Sequence, residues 1–449
     1  MPSSPPTEAP AAFVCDCKKE HRSACKGLPV FNEHEGRRYC VLHYPGKDKS
    51  VAFNKAFKRK LDAGDFDFRG VWFPDEVDFI EFTFTKPADF SFATFTAQTN
   101  FYSAKFDAIT TFFSTKFDAE TYFGHAMFHA EARFDGVKFG AQASFETAEF
   151  RAPASFSRAE FGARASFDRV KFGGVTQFYF AVFGAGVSFD GTEFTAVGFD
   201  EATFKDYARF AGDAETKVFG FNSSLSLQFA RIEKPERFSF HTLTLRPDWF
   251  INVDARKFEF INVDWGKIDI AEEIAGLTRK VNSRHRLFAI ACRNLAVNAE
   301  ENHRYEEASR LRYAAMNVRR RERGRGFAPL RLNWWYWLAS GYGERAGRAF
   351  LVLLGVWLLS ALLYTQVGFA RWEPRLTSEA EAQGARRDAT GRPLELTRAL
   401  AYSAGVMTLQ KPEPRPATTA AHTLVLLETI LGPLQAALLA LAIRRKFMR

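Results

Sequence analysis

Cysteine and catalytic motifs are scarce in this sequence. Five cysteines among 449 residues exclude a domain held together by disulfides. No nucleophile beside a base and no glycine-rich phosphate loop stands in a plausible setting, so we do not expect an enzyme. A mean hydropathy of -0.22 excludes a chain that lies mostly within a membrane. Hydrophobic residues still make up 47% of the chain, which excludes a disordered protein and, at this length, predicts several domains.

The formal net charge of +9 is unevenly distributed. Residues 1–65 carry a net charge of +4, residues 66–265 carry 20 basic and 28 acidic side chains, and residues 266–449 carry a net charge of +13. The basic residues of the last segment flank hydrophobic runs. This arrangement favours an anionic membrane surface over nucleic acid as the partner of the C-terminal part.

The N-terminal segment contains most of the cysteines. Residues 1–12 have neither the basic start nor the apolar run of a secretory signal, and we expect a disordered leader there. The residues that follow include five candidate metal ligands: Cys15, Cys17, Cys25, Cys40 and His43. Zinc takes four thiolate or imidazole ligands in a tetrahedron, and such an ion lets a segment that is too small for its own core fold.

This clustering predicts a zinc-finger-like module over residues 13–50. One structural zinc ion is expected, bound by Cys15 or Cys17 together with Cys25, Cys40 and His43. Free thiols or a degenerate site are the alternative. A short helical linker, residues 51–65, is expected to follow.

Phenylalanine is the residue in excess, with 49 copies against 12 Tyr and 8 Trp. It recurs every eleven residues between positions 68 and 189, and again five residues after each of these positions, so that all 24 places hold Phe. The first series consists of Phe68, Phe79, Phe90, Phe101, Phe112, Phe123, Phe134, Phe145, Phe156, Phe167, Phe178 and Phe189. Between Val71 and Ala208, the residue two places before each Phe is Ala, Thr or Val, with Phe82 as the exception.

An eleven-residue period fits either three turns of a helix or a repeat of extended segments. In a helix, two Phe five positions apart lie about 140° apart, so no single apolar stripe forms. In extended segments, side chains two positions apart share a face, so each Phe points inward together with the small residue before it. The pattern therefore predicts a solenoid over residues 66–265, whose stacked coils superpose Phe on Phe.

The pattern resembles the Phe-centred variant of the pentapeptide-repeat family, from residue 68 to about residue 265. The resemblance implies an all-β, right-handed quadrilateral β-helix with about 22 residues in each coil and about nine coils. After Phe199 the repeat slips, and the hydrophobic residues between Leu243 and Trp265 are typical of larger coils that close the stack. Some members of the family mimic DNA and bind topoisomerases, so the resemblance also implies this function as a further alternative.

Helical periodicity replaces the repeat after residue 265. Apolar residues recur three and four positions apart, for example at Leu287, Ile290 and Leu295, and predict an α-helical hairpin over residues 266–326. Aromatic and basic residues mark residues 327–348 as an interfacial segment.

Two later segments, residues 349–370 and 423–443, are each long and apolar enough to form a transmembrane helix. Arg345 and Arg348 precede the first segment, and the tail that follows the second, residues 444–449, is basic. By the positive-inside bias, we expect a multi-pass protein of the cell membrane with both termini in the cytoplasm. The β-helix and its reduced cysteines are then expected in the cytoplasm as well, which agrees with a metal site rather than disulfides.

Residues 371–422 are expected to form an external loop that contains a half-helix, residues 396–410. Helix, half-helix and helix together resemble a degenerate pore domain of two-span potassium channels. The resemblance implies pore-like roles for five residues: Thr408, Gln410, Lys411, Glu428 and Gly432. Where that family has Thr-x-Gly-Tyr-Gly, this chain has Thr-Leu-Gln-Lys, and a lysine there repels cations. Glu428 is expected either to face the pore or to be paired, and Gly432 permits a kink.

These parts are compatible with two functions from different classes. The first is a membrane-anchored scaffold, whose β-helix presents its surface to an unidentified protein partner while the two spans tether it. The alternative is an oligomeric ion-channel-like protein, a homo-oligomer whose pore is not potassium-selective. No nucleic-acid partner is expected. The missing filter motif favours the scaffold.

Overall fold

A computed structural model describes residues 13–25, 27–212, 218–266, 284–322, 332–370 and 392–447. The chain divides into an N-terminal unit, Met1–Asn282, and a C-terminal unit, Ser283–Arg449. Some expected segments lie outside the described residues: the leader at 1–12, residues 267–283 and 323–326 of the expected hairpin, residues 327–331 of the interfacial segment, residues 371–391 of the external loop and residues 448–449 of the basic tail.

A β-solenoid of about eight turns forms most of the N-terminal unit, which confirms the prediction from the repeat. Each regular turn contains four short strands, and the strands of successive turns pair in parallel. Lys116 pairs with Lys138 and Phe117 with Phe139, so partners are 22 residues apart. The strands therefore stack in four columns that run along the solenoid.

The strands of each column have the following bounds. The first column contains Trp72–Phe73, Thr94–Phe95, Lys116–Phe117, Lys138–Phe139, Glu160–Phe161, Val182–Phe183, Thr203–Phe204 and Arg231–Ile232. The second contains Val77–Asp78, Thr99–Asn100, Thr121–Tyr122, Ala143–Ser144, Ala165–Ser166, Val187–Ser188, Ala208–Ala211, Phe238–His241 and Glu259–Ile261. The third begins with Thr83–Phe84, Lys105–Phe106, Met127–Phe128 and Glu149–Phe150, and the fourth with Ala88–Asp89, Thr110–Thr111, Ala132–Arg133 and Ala154–Ser155. Three longer strands then span the third and fourth columns: Lys171–Gln177, Glu193–Gly198 and Phe219–Ser226.

Stacked phenylalanine rings form the core of the solenoid. All 24 Phe of the repeat are buried, and none is more than 4% exposed. Rings one turn apart are nearly parallel, since the centroids of Phe101 and Phe123 lie 4.7 Å apart at an interplanar angle of 3°. This separation equals the spacing of paired strands, so the backbone ladder sets the distance between rings. Rings that follow strands of the second and fourth columns meet edge to face, as Phe112 and Phe123 do at 85°.

The solenoid has about eight turns and not the nine expected, because the coils lengthen after Phe199. Thr203 pairs with Arg231, 28 residues further along the chain. Leu227 is buried and its carbonyl accepts the turn hydrogen bond that Phe carbonyls accept in the regular coils. The larger closing coils that were expected between Leu243 and Trp265 bury both of these residues.

Aromatic residues cover both ends of the phenylalanine stack. At the N-terminal end, helix α1 (Ser50–Asp62) places Phe57 with its ring centroid 5.6 Å from that of Phe68. At the other end, the ring of Trp265 lies 5.3 Å from that of Phe260. The apolar ends of the stack are therefore shielded from water, as solenoid ends must be.

The N-terminal unit also contains short elements outside the strand columns. An antiparallel hairpin pairs strands Val30–His34 and Arg37–Cys40. The 3-10 helices are Lys19–Cys25, Lys47–Lys49, Pro235–Arg237 and Pro247–Phe250.

The C-terminal unit is helical. Its described helices are α2 (Arg284–Glu301), α3 (Tyr305–Glu322), α4 (Leu332–Ser340), α5 (Ala346–Tyr364), α6 (Leu396–Met407) and α7 (Thr419–Phe447). Helices α2 and α3 form a hairpin whose apolar sides are buried, with Phe288 and Leu311 at most 1% exposed. By length and composition, α5 and α7 are candidate membrane spans. Helix α5 ends before the predicted limit of residue 370, because Phe369 forms bridges with Arg392 and Pro416.

Candidate metal centre and polar cluster of the helical unit

The predicted metal ligands are held by short elements at the N-terminal end of the solenoid. Cys25 ends the 3-10 helix Lys19–Cys25, and Cys40 ends the second strand of the hairpin. Asp16, between Cys15 and Cys17, forms two hydrogen bonds with the backbone of Arg38, at 2.9 Å and 2.8 Å. These bonds hold the first two cysteines beside the hairpin. The local folding therefore brings together cysteines that are up to 25 residues apart.

The structure places all five predicted ligands in one cluster. The ligand atoms of Cys15, Cys17, Cys25 and His43 lie within 4.8 Å of one another, and all four residues are buried. The sulfur of Cys40 lies 3.2 Å from Nδ1 of His43, and the backbone N–H of Cys40 donates to the sulfur of Cys15 at 3.3 Å. Four sulfurs and one imidazole nitrogen thus converge, one more than a tetrahedral zinc ion takes.

The orientation of His43 suits a metal ligand. Its Nε2 lies 2.9 Å from the carbonyl oxygen of Arg69, which can only accept, so Nε2 carries a proton. Its Nδ1 faces the sulfurs of Cys40 and Cys15, at 3.2 Å and 3.9 Å. Burial lowers the pKa of His43, but hydrogen bonds with these two thiols outweigh this effect and raise the pKa to about 9. A metal ion at this position would displace the proton from Nδ1. Metal-binding histidines commonly donate their second ring N–H to a carbonyl in this way. Because Arg69 belongs to the first coil, this hydrogen bond also attaches the cluster to the solenoid.

The proton affinities of the thiols are strongly coupled. Hydrogen bonds from Cys17, then Cys25 and Cys40, lower the pKa of the Cys15 thiol. The hydrogen bond to Cys15 raises the pKa of Cys17 to about 12. A metal-free cluster therefore stabilises one thiolate and keeps its neighbours protonated. A divalent cation is the group that lets several buried thiols lose their protons together.

Two buried lysines support the cluster and were not identified from the sequence. Lys49, only 1% exposed, donates to the carbonyl of Leu42 at 3.0 Å, and Lys60 donates to the carbonyl of Ala24 at 3.1 Å. Burial lowers the pKa of Lys49 to about 7. Each acceptor carbonyl directly precedes a candidate ligand, so Lys49, immediately before α1, and Lys60, within α1, brace both halves of the module.

A second cluster of polar residues lies inside the helical unit. Glu428 of α7 is 2% exposed, and the hydroxyls of Tyr364 and Ser403 donate to its carboxylate. The hydroxyl of Ser403 also lies 3.1 Å from the carbonyl oxygen of Trp357. Of the two expected positions of Glu428, the structure places it in the paired one, where it joins α5, α6 and α7.

The other pore-like residues divide into two groups. Gly432 lies where α6 approaches α7, since a Cβ atom on it would be 2.8 Å from Cγ of Met407. Thr408, Gln410 and Lys411 are exposed at the end of α6, and the hydroxyl of Thr408 donates to the carbonyl of Ala404 at 3.0 Å. Glu428 and Gly432 of α7 therefore contact α6, while the three other predicted residues are exposed where α6 ends.

Comparison with known proteins adds no assignment to these sites. No protein-family model, curated protein or solved structure matches the chain. The function must therefore be argued from the solenoid, the cysteine–histidine cluster and the packing of the helical unit.

Proposed function

We propose that the protein is a membrane-anchored scaffold whose solenoid binds a protein partner. The observation that carries this proposal is the extended outer surface of the four strand columns, which presents regularly spaced polar side chains on a rigid core. Ion pairs link successive turns on this surface, such as Lys138 with Glu160 at 2.9 Å and Lys171 with Glu193 at 3.2 Å. Such a surface offers a partner many fixed contacts without a catalytic group.

The distribution of charge on the solenoid argues against DNA mimicry, and therefore against a topoisomerase as the protein partner. Mimicry of DNA requires rows of unpaired acidic groups. On this solenoid, basic side chains neutralise acidic ones at short distances, as in Arg133 with Glu131 at 2.7 Å and Arg151 with Glu149 at 2.8 Å. The scaffold proposal therefore includes no nucleic acid and no DNA-like surface.

Photo-crosslinking from the solenoid surface tests the scaffold. A photo-reactive amino acid at Lys138 of the full-length protein should give one discrete adduct in cells. The same amino acid at Val51, which is 88% exposed on α1, is the matched control and should give none. The proposal is contradicted if the photo-reactive amino acid gives no adduct at position 138 and none at outward positions on the other three columns.

The membrane attachment is proposed from α5 and α7. Both helices are long and apolar enough to span a bilayer, and basic residues lie where α5 begins and where α7 ends, namely Arg345, Arg348, Arg444 and Arg445. By the positive-inside bias, both termini, the solenoid and the thiols then face the cytoplasm. The protein should remain in membranes after an alkaline wash, and a variant truncated after Glu344 should become soluble.

The proposal includes one structural zinc ion in the N-terminal module. His43 and three of the four clustered cysteines would hold it, and the ion would stabilise residues 13–50 without supplying chemistry to a substrate. The support is the convergence of buried sulfurs around Nδ1 of His43, with its Nε2 donating to a carbonyl.

The packing of α6 supports a second candidate function, an oligomeric channel-like protein. Trp357 of α5 donates from its ring N–H to the carbonyl of Leu400 in α6 at 3.0 Å, and Glu428 binds α6 from the other side. A short helix held between two spans is the arrangement from which pore linings are built. The exposed Lys411 argues against potassium selectivity. Ion flux through reconstituted vesicles is the result expected from this candidate, and its absence supports the tether.

A further inference from the structure

The beginning of α5 and the end of α7 meet in a cluster of arginines. Arg445 of α7 donates to the carbonyl oxygen of Tyr342 at 3.1 Å and to the carboxylate of Glu344 at 3.2 Å. Ser309 and Arg312 of α3 also contact Glu344, at 2.8 Å and 3.5 Å. This buried acid is therefore already occupied by two arginines and one hydroxyl.

Three further arginines lie on aromatic rings beside Glu344. The guanidinium carbon of Arg320 is 4.4 Å from the ring centroid of Trp337, and that of Arg348 is 5.0 Å from the same ring. Arg345 lies 4.3 Å from the ring centroid of Tyr313. The ring N–H of Trp337 donates to the hydroxyl of Tyr313 at 3.3 Å. The two aromatic platforms are thus joined, and the three arginines are arranged around them.

No carboxylate among the described residues forms an ion pair with these three arginines. The hydrogen-bond partners of their side chains are neutral: Arg320 donates to the side chain of Asn317 at 3.0 Å, and Arg348 to the carbonyl of Trp337 at 3.2 Å. The buried Nε of Arg320 has no hydrogen-bond partner in the described part of the chain. Like charges around the same pair of rings repel, so an anion bound beside these arginines would stabilise the arrangement.

We propose that Arg320, Arg345 and Arg348 form a binding site for the phosphate of an anionic lipid headgroup. This inference rests on the membrane attachment proposed above. Planar guanidinium groups bind phosphate oxygens in pairs, and their stacking on Trp337 and Tyr313 fixes their directions. The cluster lies at the ends of both candidate spans, where lipid headgroups and interfacial aromatic residues meet. This position favours lipid over a nucleic-acid phosphate.

Lipid binding to the full-length protein in a neutral detergent tests the site. Phosphatidylglycerol and phosphatidylcholine with identical acyl chains are added separately, and the bound lipid is measured by native mass spectrometry. We expect retention of phosphatidylglycerol over phosphatidylcholine. Each arginine at an anionic surface corresponds to about a fivefold change in affinity, so the double variant Arg345→Gln, Arg348→Gln should bind phosphatidylglycerol about 25-fold more weakly. Arg310→Gln, an exposed position on α3, is the matched control and should bind like the wild type.

Equal retention of the two lipids, or an unaffected double variant, overturns the proposal. Glycerol phosphate distinguishes a free phosphate ligand from a lipid: competition at the same concentration as the lipid would overturn the lipid assignment. Arg348→Lys guards against misfolding, because it keeps the charge but loses the paired hydrogen bonds, and it should give an intermediate affinity.

Flotation with vesicles distinguishes failure of the lipid site from failure of the proposed membrane attachment. Failure to float with either lipid contradicts membrane attachment, whereas equal flotation combined with equal retention contradicts only the headgroup site.

Discussion

Replacing Phe145 by alanine should destabilise the middle of the solenoid strongly. The ring is fully buried and lies parallel to Phe123 and Phe167, with centroids 4.8 Å and 4.9 Å away. Phe134 and Phe156 meet it edge to face, each at 5.5 Å. Removal of a buried Phe ring costs about 3–5 kcal/mol, and the cost is greatest where the surroundings cannot collapse into the cavity. The neighbouring rings are held by their own strands, so we expect about 4–5 kcal/mol.

Hydrogen exchange detects this loss locally, because each turn of a solenoid interacts mainly with its neighbours. The backbone N–H of Phe145 donates to the carbonyl of Ser166 at 2.8 Å, and amides of these turns should exchange roughly a thousandfold faster in Phe145→Ala. Phe229→Ala is the matched control, because Phe229 is 64% exposed at a turn and its loss should change stability by less than about 0.5 kcal/mol. Exchange of the Phe145 turns within threefold of the wild type would refute the stacked-ring core.

Two other variants test the packing of the helical unit at Gly432 and the metal site. Gly432→Ala places a Cβ atom 2.8 Å from Cγ of Met407, so it should destabilise the helical unit by about 1–3 kcal/mol and lower its melting temperature in detergent. Gly355 has open space around it, so the control variant Gly355→Ala should leave the melting temperature unchanged. The double variant Cys25→Ser, Cys40→Ser leaves only three of the five candidate ligands, so it should reduce bound zinc, measured by elemental analysis, from about one ion per chain to a small fraction. Cys292→Ser, a buried cysteine outside the cluster, should retain the ion. Equal zinc content in the two cysteine variants would contradict the proposed metal site. Equal melting temperatures of the two glycine variants would contradict the close packing at Gly432.

The solenoid could be predicted from the sequence because its core is periodic. The recurrence of Phe, and the small residue two positions before it, reports directly which side chains face inward. The turns carry no such signal. Ser103, Arg158 and Phe180 all take left-handed conformations at equivalent corners, with φ of 55°, 57° and 59°. No single residue type marks these corners, so backbone pairing between coils imposes the conformation.

The candidate sites could be predicted only where their residues are close in sequence or chemically distinctive. The cysteines and His43 stand within a short segment, and the structure does bring them together. The hydrogen bond from Lys49 to the carbonyl of Leu42 could not be predicted, because a lysine in a polar helix is normally exposed to solvent. The partners of Glu428 were missed because Tyr364 and Ser403 are 64 and 25 residues away in the chain, and only the packing of three helices unites them.

The native mass of the full-length protein in mild detergent distinguishes the tethered scaffold from the channel-like protein. Two spans cannot enclose a pore, so a channel of this kind must assemble from several copies, whereas a tether for a scaffold needs only one. A tethered scaffold should be a monomer of 50.8 kDa, after correction for bound detergent, and should remain one in several detergents. A stable tetramer would contradict the tethered scaffold and favour the channel-like candidate.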